Sequence, residues 1–192
     1  MKNIFNSIFM RGKHTCPKWF NFSLDNFIRR AVHKQEVILS GYVNKNDYVM
    51  DIGPGPGYFS IPMAKMVGNG GKVVAIDIQK DMLDAVQKNA EKNEVTSRIL
   101  TKLIEDENFT TEQPTDFALA FWMVHEVPNK PLFLQSIYKS LKSNKHLLIA
   151  EPYLHVTKKM FDETVHFAET AGFKIVDSPK IFFSHTVLLR KE

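Results

Sequence analysis

Three glycines at alternating positions, Gly53, Gly55 and Gly57, stand between a short apolar run, Tyr48–Ile52, and a stretch whose apolar residues have helical spacing. Glycine at such a junction permits a tight turn and lets a ligand touch the backbone directly. The strand–turn–helix unit heads a regular alternation. Apolar runs predict strands at 48–52, 73–77, 98–104, 116–122, 146–150, 173–176 and 182–189. Helical periodicity predicts helices at 59–67, 80–94, 130–141 and 158–171, the last ended by Gly172. Strands that are apolar almost throughout and alternate with helices imply a mostly parallel sheet covered on both faces. The last two strands are too close for a crossover helix, so the final one is expected to pair antiparallel. Ligands of such sheets bind outside the carboxyl ends of the strands. The places to look are therefore after Ile52, Asp77, Ile104, Trp122 and Ala150.

The chain has 192 residues, 44% hydrophobic and 24% charged, enough for one full core. Residues 47–192 are expected to form that domain, with 1–46 as a basic, helical cap segment. Residues 1–46 carry eight lysines or arginines against two acids, a surplus of +6 that leaves −2 for the remainder. Such a front end suits a solvated helix face, and also an anionic partner. A helix is expected from about Ser23, its N-cap, with Leu24, Phe27, Ile28, Val32, Val37 and Ile38 as its stripe and Gly41 as its stop. Cys16 is the lone cysteine, so an intrachain disulfide is excluded. Neither an apolar run of about 18 residues nor a secretory leader is evident, so no membrane span is expected and the cytoplasm is the expected compartment.

The glycine loop narrows the ligand class. A dinucleotide fingerprint needs a third glycine where Tyr58 stands, and a phosphate-binding P-loop needs Gly-Lys-Ser or Gly-Lys-Thr, which does not occur. No lysine in the loop meets phosphate charge. The first strand instead carries Asp51, suited to a cationic group. The second ends in Asp77, 24 residues after Gly53, where a carboxylate can accept hydrogen bonds from two ribose hydroxyls. A nucleoside with an amino group and no phosphates matches both: S-adenosylmethionine.

The Asp-x-Gly-x-Gly-x-Gly run, joined to Val-Val-Ala-Ile-Asp77, resembles the class I S-adenosylmethionine-dependent methyltransferases, nearest to the small type 11 group that includes ubiquinone/menaquinone-biosynthesis-like enzymes. The resemblance covers about residues 36–190. It implies an α/β, Rossmann-like, doubly wound seven-stranded sheet, mostly parallel, with an antiparallel last strand. It further implies that Gly53, Pro54, Gly55 and Gly57 pass under the methionine moiety and that Asp51 orients the loop and its amino end. Asp77 would hold the ribose, with Ile78 and Met82 flanking the adenine and ribose and Phe121 bordering the site. A third acid should read the adenine amino group. Glu105 and Asp106 both qualify, because the family's Gly-Asp-Ala is absent here.

Methyl transfer from a sulfonium needs alignment, desolvation and sometimes removal of a proton. Positioning can contribute about 7–11 kcal/mol, so a conspicuous catalytic constellation is not required. In Trp122-Met-Val-His-Glu-Val-Pro128, which resembles the family's histidine motif before Val-Pro, His125 and Glu126 are the expected catalytic pair. Glu151, Tyr153, His155 and His185 are rim candidates; for Glu151 and Tyr153, which end the fifth strand and border the cleft, a substrate-facing role is one open reading beside a structural one. His125, Glu126, Glu151 and His155 match no compact metal-ligand spacing, so no metal is expected. Trp19 and Phe20 have three placements open: closing over the cleft, packing on the sheet, or meeting a second subunit in a homodimer. The expected function is methyl transfer to a small-molecule acceptor. The alternatives are an RNA or protein methyltransferase, the former disfavoured for N6-adenine chemistry by the lack of Asn-Pro-Pro-Tyr, or a non-catalytic S-adenosylmethionine-binding partner subunit.

Overall fold

The computed structural model describes residues 33–192. Seven strands form one sheet: β1 Tyr48–Ile52, β2 Lys72–Asp77, β3 Ile99–Leu103, β4 Thr115–Phe121, β5 Leu141–Pro152, β6 Phe173–Asp177 and β7 Ser184–Lys191, in the order β3-β2-β1-β4-β5-β7-β6. β1 to β5 pair in parallel, and β7 runs antiparallel to both β5 and β6. The helices are α1 Gln35–Leu39, α2 Ser60–Val67, α3 Lys80–Lys92, α4 Lys130–Ser140 and α5 Lys158–Thr170. The expected α/β, mostly parallel sheet with an antiparallel last strand is the observed one.

Side chains alternate across a strand, and the sheet thereby separates two cores. Val49, Val73, Ala75 and Leu119 pack with Met63, Val67, Val86 and Ala90 under α2 and α3. Met50, Val74, Ala118 and Ile149 pack with Leu134, Ile137 and Phe161 under α4 and α5. Burial on both faces explains why β1 is buried at all five positions and is apolar at four of them, Asp51 being the exception.

Two expectations need correction. β5 begins at Leu141, not at 146, because Lys142 and Lys145 reach across to Asp116 at 2.8 and 3.2 Å, and such a polar start carries no apolar period. β7 lies between β5 and β6, an order the sequence does not specify. Val187, Leu188 and Leu189 are buried whereas Ile175 and Val176 are largely exposed, so the more apolar strand takes the inner place. Among the described residues, the first helix is Gln35–Leu39, with Val37 66% exposed and Leu39 buried. Val37 is therefore not on a buried stripe, and Gly41 (φ +92°) lies in the turn beyond the helix. Ser23, Leu24, Phe27, Ile28, Val32, Cys16, Trp19 and Phe20 lie outside the described residues.

Candidate functional site

The glycine loop leaves β1 at its carboxyl end, tied by the Gly53 N–H to the Ile76 carbonyl at 2.9 Å. Gly53, Gly55 and Gly57 all have left-handed φ, +65°, +53° and +93°, a region that side chains with a Cβ rarely enter. Their surroundings differ. A Cβ on Gly53 would lie 2.8 Å from Met123 Cγ, so the loop packs there against the chain leaving β4. A Cβ on Gly57 would meet Ile61 and Val86 at ordinary contact distances. A Cβ on Gly55 would meet nothing within 4 Å. Gly55 thus borders open space, the cradle a ligand against the backbone would fill.

Asp51 is 2% exposed and accepts the Ser60 Oγ hydrogen bond at 2.5 Å, which ties β1 to the start of α2 beneath the loop. Asn89 of α3 donates to the Pro56 carbonyl at 2.8 Å, and the Tyr58 hydroxyl donates to the His33 carbonyl at 2.9 Å. Asp77 closes β2. Burial raises its pKa, opposed by the N–H groups of Gln79 and Ile78, the former at 2.9 Å from Oδ1. Ile78 is 54% exposed, and Met82 is half-buried at the start of α3.

After β3, Glu105 and Asp106 are both exposed. Asp106 Oδ1 accepts the Asn108 N–H at 2.8 Å, an Asx turn that commits it to its own loop. The Phe121 ring is 5% exposed and packs on Phe59 (4.6 Å between centroids) and Trp122 (5.5 Å), so its side chain belongs to the core below the crevice.

The chain turns sharply after β4. Trp122 has φ +58°, a strained conformation for a bulky residue that costs about 1–3 kcal/mol. Its backbone N–H reaches the Ala150 carbonyl at 2.7 Å and its indole Nε1 the Ser184 Oγ at 2.8 Å. The turn leads into a single 3₁₀ turn, Val124–Glu126. Its first N–H groups converge on Glu151 at the end of β5. Oε1 accepts from Met123 and Val124 at 3.1 and 2.9 Å, and Oε2 accepts from the His125 N–H at 3.0 Å. Oε2 also lies 2.6 Å from His125 Nδ1. Glu151 is 1% exposed, so it does not face substrate as the sequence suggested. Desolvation lowers the His125 pKa, but the hydrogen bond and charge of Glu151 outweigh it, and the net shift is upward. Burial raises Glu126, whose Oε1 is 3.9 Å from His125 Nε2; the charges of Glu151 and Asp77 add to that shift and His125 opposes it.

Beyond β5 the same face continues. His155 stacks parallel to His125 at 6.1 Å between centroids. His185 is the register partner of Glu151 on β7, and directly paired residues share one face. The His185 ring meets Tyr153 at 4.3 Å and stacks on Phe161 at 5.4 Å. Tyr153, Phe161, His185, Ile175 and Phe182 line a groove of about 800 Å³ between α5 and the β6–β7 hairpin, with Lys158 and Lys180 also on its wall. Among the described residues no group of three or more His, Cys, Asp or Glu is arranged to hold a metal ion, and no helix is long and apolar enough to cross a membrane.

A family model described as a methyltransferase domain matches residues 43–178. The chain belongs to that family. This methyltransferase domain has the fold of the class I, S-adenosylmethionine-dependent group. It superimposes on a SAM-dependent methyltransferase from Aquifex aeolicus with a TM-score of 0.77, covering 91% of this chain and 98% of that one at 22% identity, a likeness of fold. The ubiquinone/menaquinone biosynthesis C-methyltransferase of Haemophilus ducreyi is 28% identical over 140 residues, 72% of this chain and 52% of that protein. A mitochondrial rRNA methyltransferase 2 of Schizosaccharomyces pombe is 48% identical over 80 residues, 41% of this chain and 36% of that protein. The chain thus spans about half, or less, of the length of these curated relatives. The family's cofactor is S-adenosylmethionine, and the residues present fit it: an open backbone cradle at Gly55, a strand-end carboxylate at Asp77, and an acidic surround suited to a cationic ligand.

Sequence reasoning missed Asn89 as an anchor of the loop and the buried role of Glu151. An asparagine inside an otherwise good helix is a weak local signal for the first. The second had none, since a carboxylate after an apolar strand reads the same whether it faces ligand or core.

Proposed function

We propose that the protein is an S-adenosylmethionine-dependent methyltransferase acting on a small-molecule acceptor. One observation carries this reading. The glycine loop and Asp77 at the tips of β1 and β2, His125 just past the tip of β4, and the groove beside β5 and β7 follow one another along the carboxyl edge of one sheet.

In this reading Gly53, Pro54, Gly55 and Gly57 form the floor under the cofactor, and Asp51 holds that floor through Ser60. Asp77 accepts from the ribose hydroxyls, and Ile78 and Met82 flank the rings. Glu105, whose neighbour Asp106 is engaged in its own turn, is the better placed acid for the adenine amino group. Phe121 contributes through its backbone. Bound there, the cofactor supplies a methyl group on a positively charged sulfur, activated toward a nucleophile. His125, with Glu126 beside it, takes up the acceptor's proton, and a base in that position contributes roughly 10²–10⁴-fold. The groove of about 800 Å³ has the size of a small-molecule site.

Calorimetric titration with S-adenosylmethionine tests the reading. Binding is expected, and Asp77→Asn should weaken it by about 10- to 100-fold, since hydrogen bonds to a charged group are worth about 1.5–3 kcal/mol. No heat at millimolar ligand would overturn it. Release of S-adenosylhomocysteine across a small-molecule acceptor panel then separates an enzyme from a binding module.

A second reading has the similarity to the yeast rRNA methyltransferase behind it, together with the basic surplus of residues 1–46: the acceptor is RNA. Affinity should then fall steeply with salt, by about 10³–10⁵ between 50 and 200 mM for six to ten phosphate contacts. A gel shift without binding at 50 mM salt removes this reading.

A further inference from the structure

We infer that Glu151 is a positioning residue that holds His125 in one tautomer, with the proton on Nδ1 and the Nε2 lone pair presented toward the crevice. The inference deepens the methyltransferase reading and rests on it only for the use made of Nε2.

The hydrogen-bond geometry carries the argument. An ionised carboxylate only accepts. Glu151 takes three backbone N–H groups from consecutive residues, Met123, Val124 and His125, so both its oxygens are aimed at the turn by the backbone itself. The side chain is 2% exposed and is held away from solvent. The same Oε2 that accepts the His125 backbone N–H lies 2.6 Å from Nδ1 of that residue's ring. A contact that short between an acceptor and a ring nitrogen requires the proton on Nδ1. In the neutral ring Nε2 is then unprotonated. Glu126 Oε1 is 3.9 Å from it, beyond hydrogen-bond reach.

The groups facing the ring come from every element around it: Glu151 from β5, Glu126 from the 3₁₀ turn, Lys130 from the start of α4, and His155 from the loop after β5, stacked at 6.1 Å and nearly parallel. Of these, Glu151 alone accepts from Nδ1. Trp122 stands at the head of the turn with φ +58°, and the three N–H groups that follow it all meet one carboxylate. A surface histidine free to choose its tautomer needs none of this apparatus.

Long-range ¹⁵N–¹H correlation spectra of the histidine rings in the full chain test the assignment, with His125→Gln identifying the resonance. At a pH where His125 is neutral, the wild type should show a protonated Nδ1 and an unprotonated Nε2. In Glu151→Gln the amide oxygen goes to the Met123 and Val124 N–H groups, two donors against the single backbone N–H of His125 on the other side, so the NH₂ faces the ring, Nδ1 becomes the acceptor, the tautomer reverses and the His125 titration moves downward. Glu151→Asp, which keeps a carboxylate, should retain the wild-type pattern in part. A wild-type spectrum with the proton on Nε2 overturns the inference even if Glu151→Gln fails to fold, and so does an unchanged tautomer in a folded Glu151→Gln. Calorimetry with S-adenosylmethionine on the same samples keeps the two claims apart: absent binding sinks the functional reading and leaves the tautomer result standing. With turnover in hand, Glu151→Gln should lower kcat by roughly 10²-fold, the lower range for a general base, while KM for the cofactor is unchanged. A change confined to KM, with kcat unaltered, would contradict the positioning role.

Discussion

Asn89 in the third turn of α3 donates its Nδ2 to the Pro56 carbonyl at 2.8 Å, across 33 residues of chain. One side chain from the second βαβ unit thereby pins the apex of the glycine loop that ends the first strand. Asn89→Ala should loosen the loop more than the fold. A neutral hydrogen bond is worth about 0.5–1.5 kcal/mol, so S-adenosylmethionine affinity should drop by about three- to tenfold. Calorimetry checks the affinity, and a thermal melt that moves by more than a few degrees would show that the bond serves the core instead.

Gly53 and Gly55 have the same handedness but different neighbours, and alanine should separate the two. Both substitutions carry the left-handed cost of about 1–2 kcal/mol. Gly53→Ala adds a Cβ 2.8 Å from Met123 Cγ, whereas Gly55→Ala enters open space. Chemical denaturation should therefore rank Gly53→Ala as the less stable, and Met123→Ala in the same chain should recover only part of the steric cost, because the Cβ of residue 123, 3.0 Å away, remains. Gly55→Ala should instead lose cofactor affinity, because its new methyl occupies the cradle. Equal stability losses with equal affinities would remove the distinction.

His125 links pH to stability and activity with opposite signs. Burial by itself lowers its pKa, and the Glu151 hydrogen bond and charge outweigh that, so the folded value lies above the ordinary 6.5. A raised histidine stabilises the fold fully below its unfolded value and loses that contribution as pH rises through the folded value. Urea midpoints should decline above about pH 6.5 in the wild type and less so in His125→Gln. Turnover should rise over the same window, since only the neutral ring accepts a proton. A rate that falls as the ring deprotonates would exclude His125 as the base.

Asp116 braces the far end of the sheet. Its carboxylate accepts the Tyr48 N–H at 3.1 Å and pairs with Lys142 and Lys145. Burial opposes ionisation, but these partners prevail and the pKa is lowered. The stabilisation is present above the unfolded carboxylate value and lost as pH falls through the folded one. With both lysines about 40% or more exposed, the pair is screened, and Asp116→Asn should cost about 1 kcal/mol. Melts at neutral pH should show a loss that disappears in acid, with cofactor binding untouched.

The strands, their alternation with helices and the two strand-end acids were legible in the sequence because each is a local property. An apolar run reports burial on both faces, a glycine reports a backbone that Cβ would strain, and an acid at the end of a strand sits at the ligand edge by topology. Asp51, the glycine loop and Asp77 lie within 27 residues of one another, so one βαβ unit carries them all. The insertion of β7 between β5 and β6 was decided by competition between two strands for the drier position, which no window of sequence compares. The pairing of His125 with Glu151 spans 26 residues, and that of Glu151 with His185 spans 34. Both exist because β4, β5 and β7 lie side by side in the sheet. Whether a carboxylate at a strand tip meets solvent or disappears beneath a turn depends on what the neighbouring strand places over it, and that is a property of the packed sheet alone.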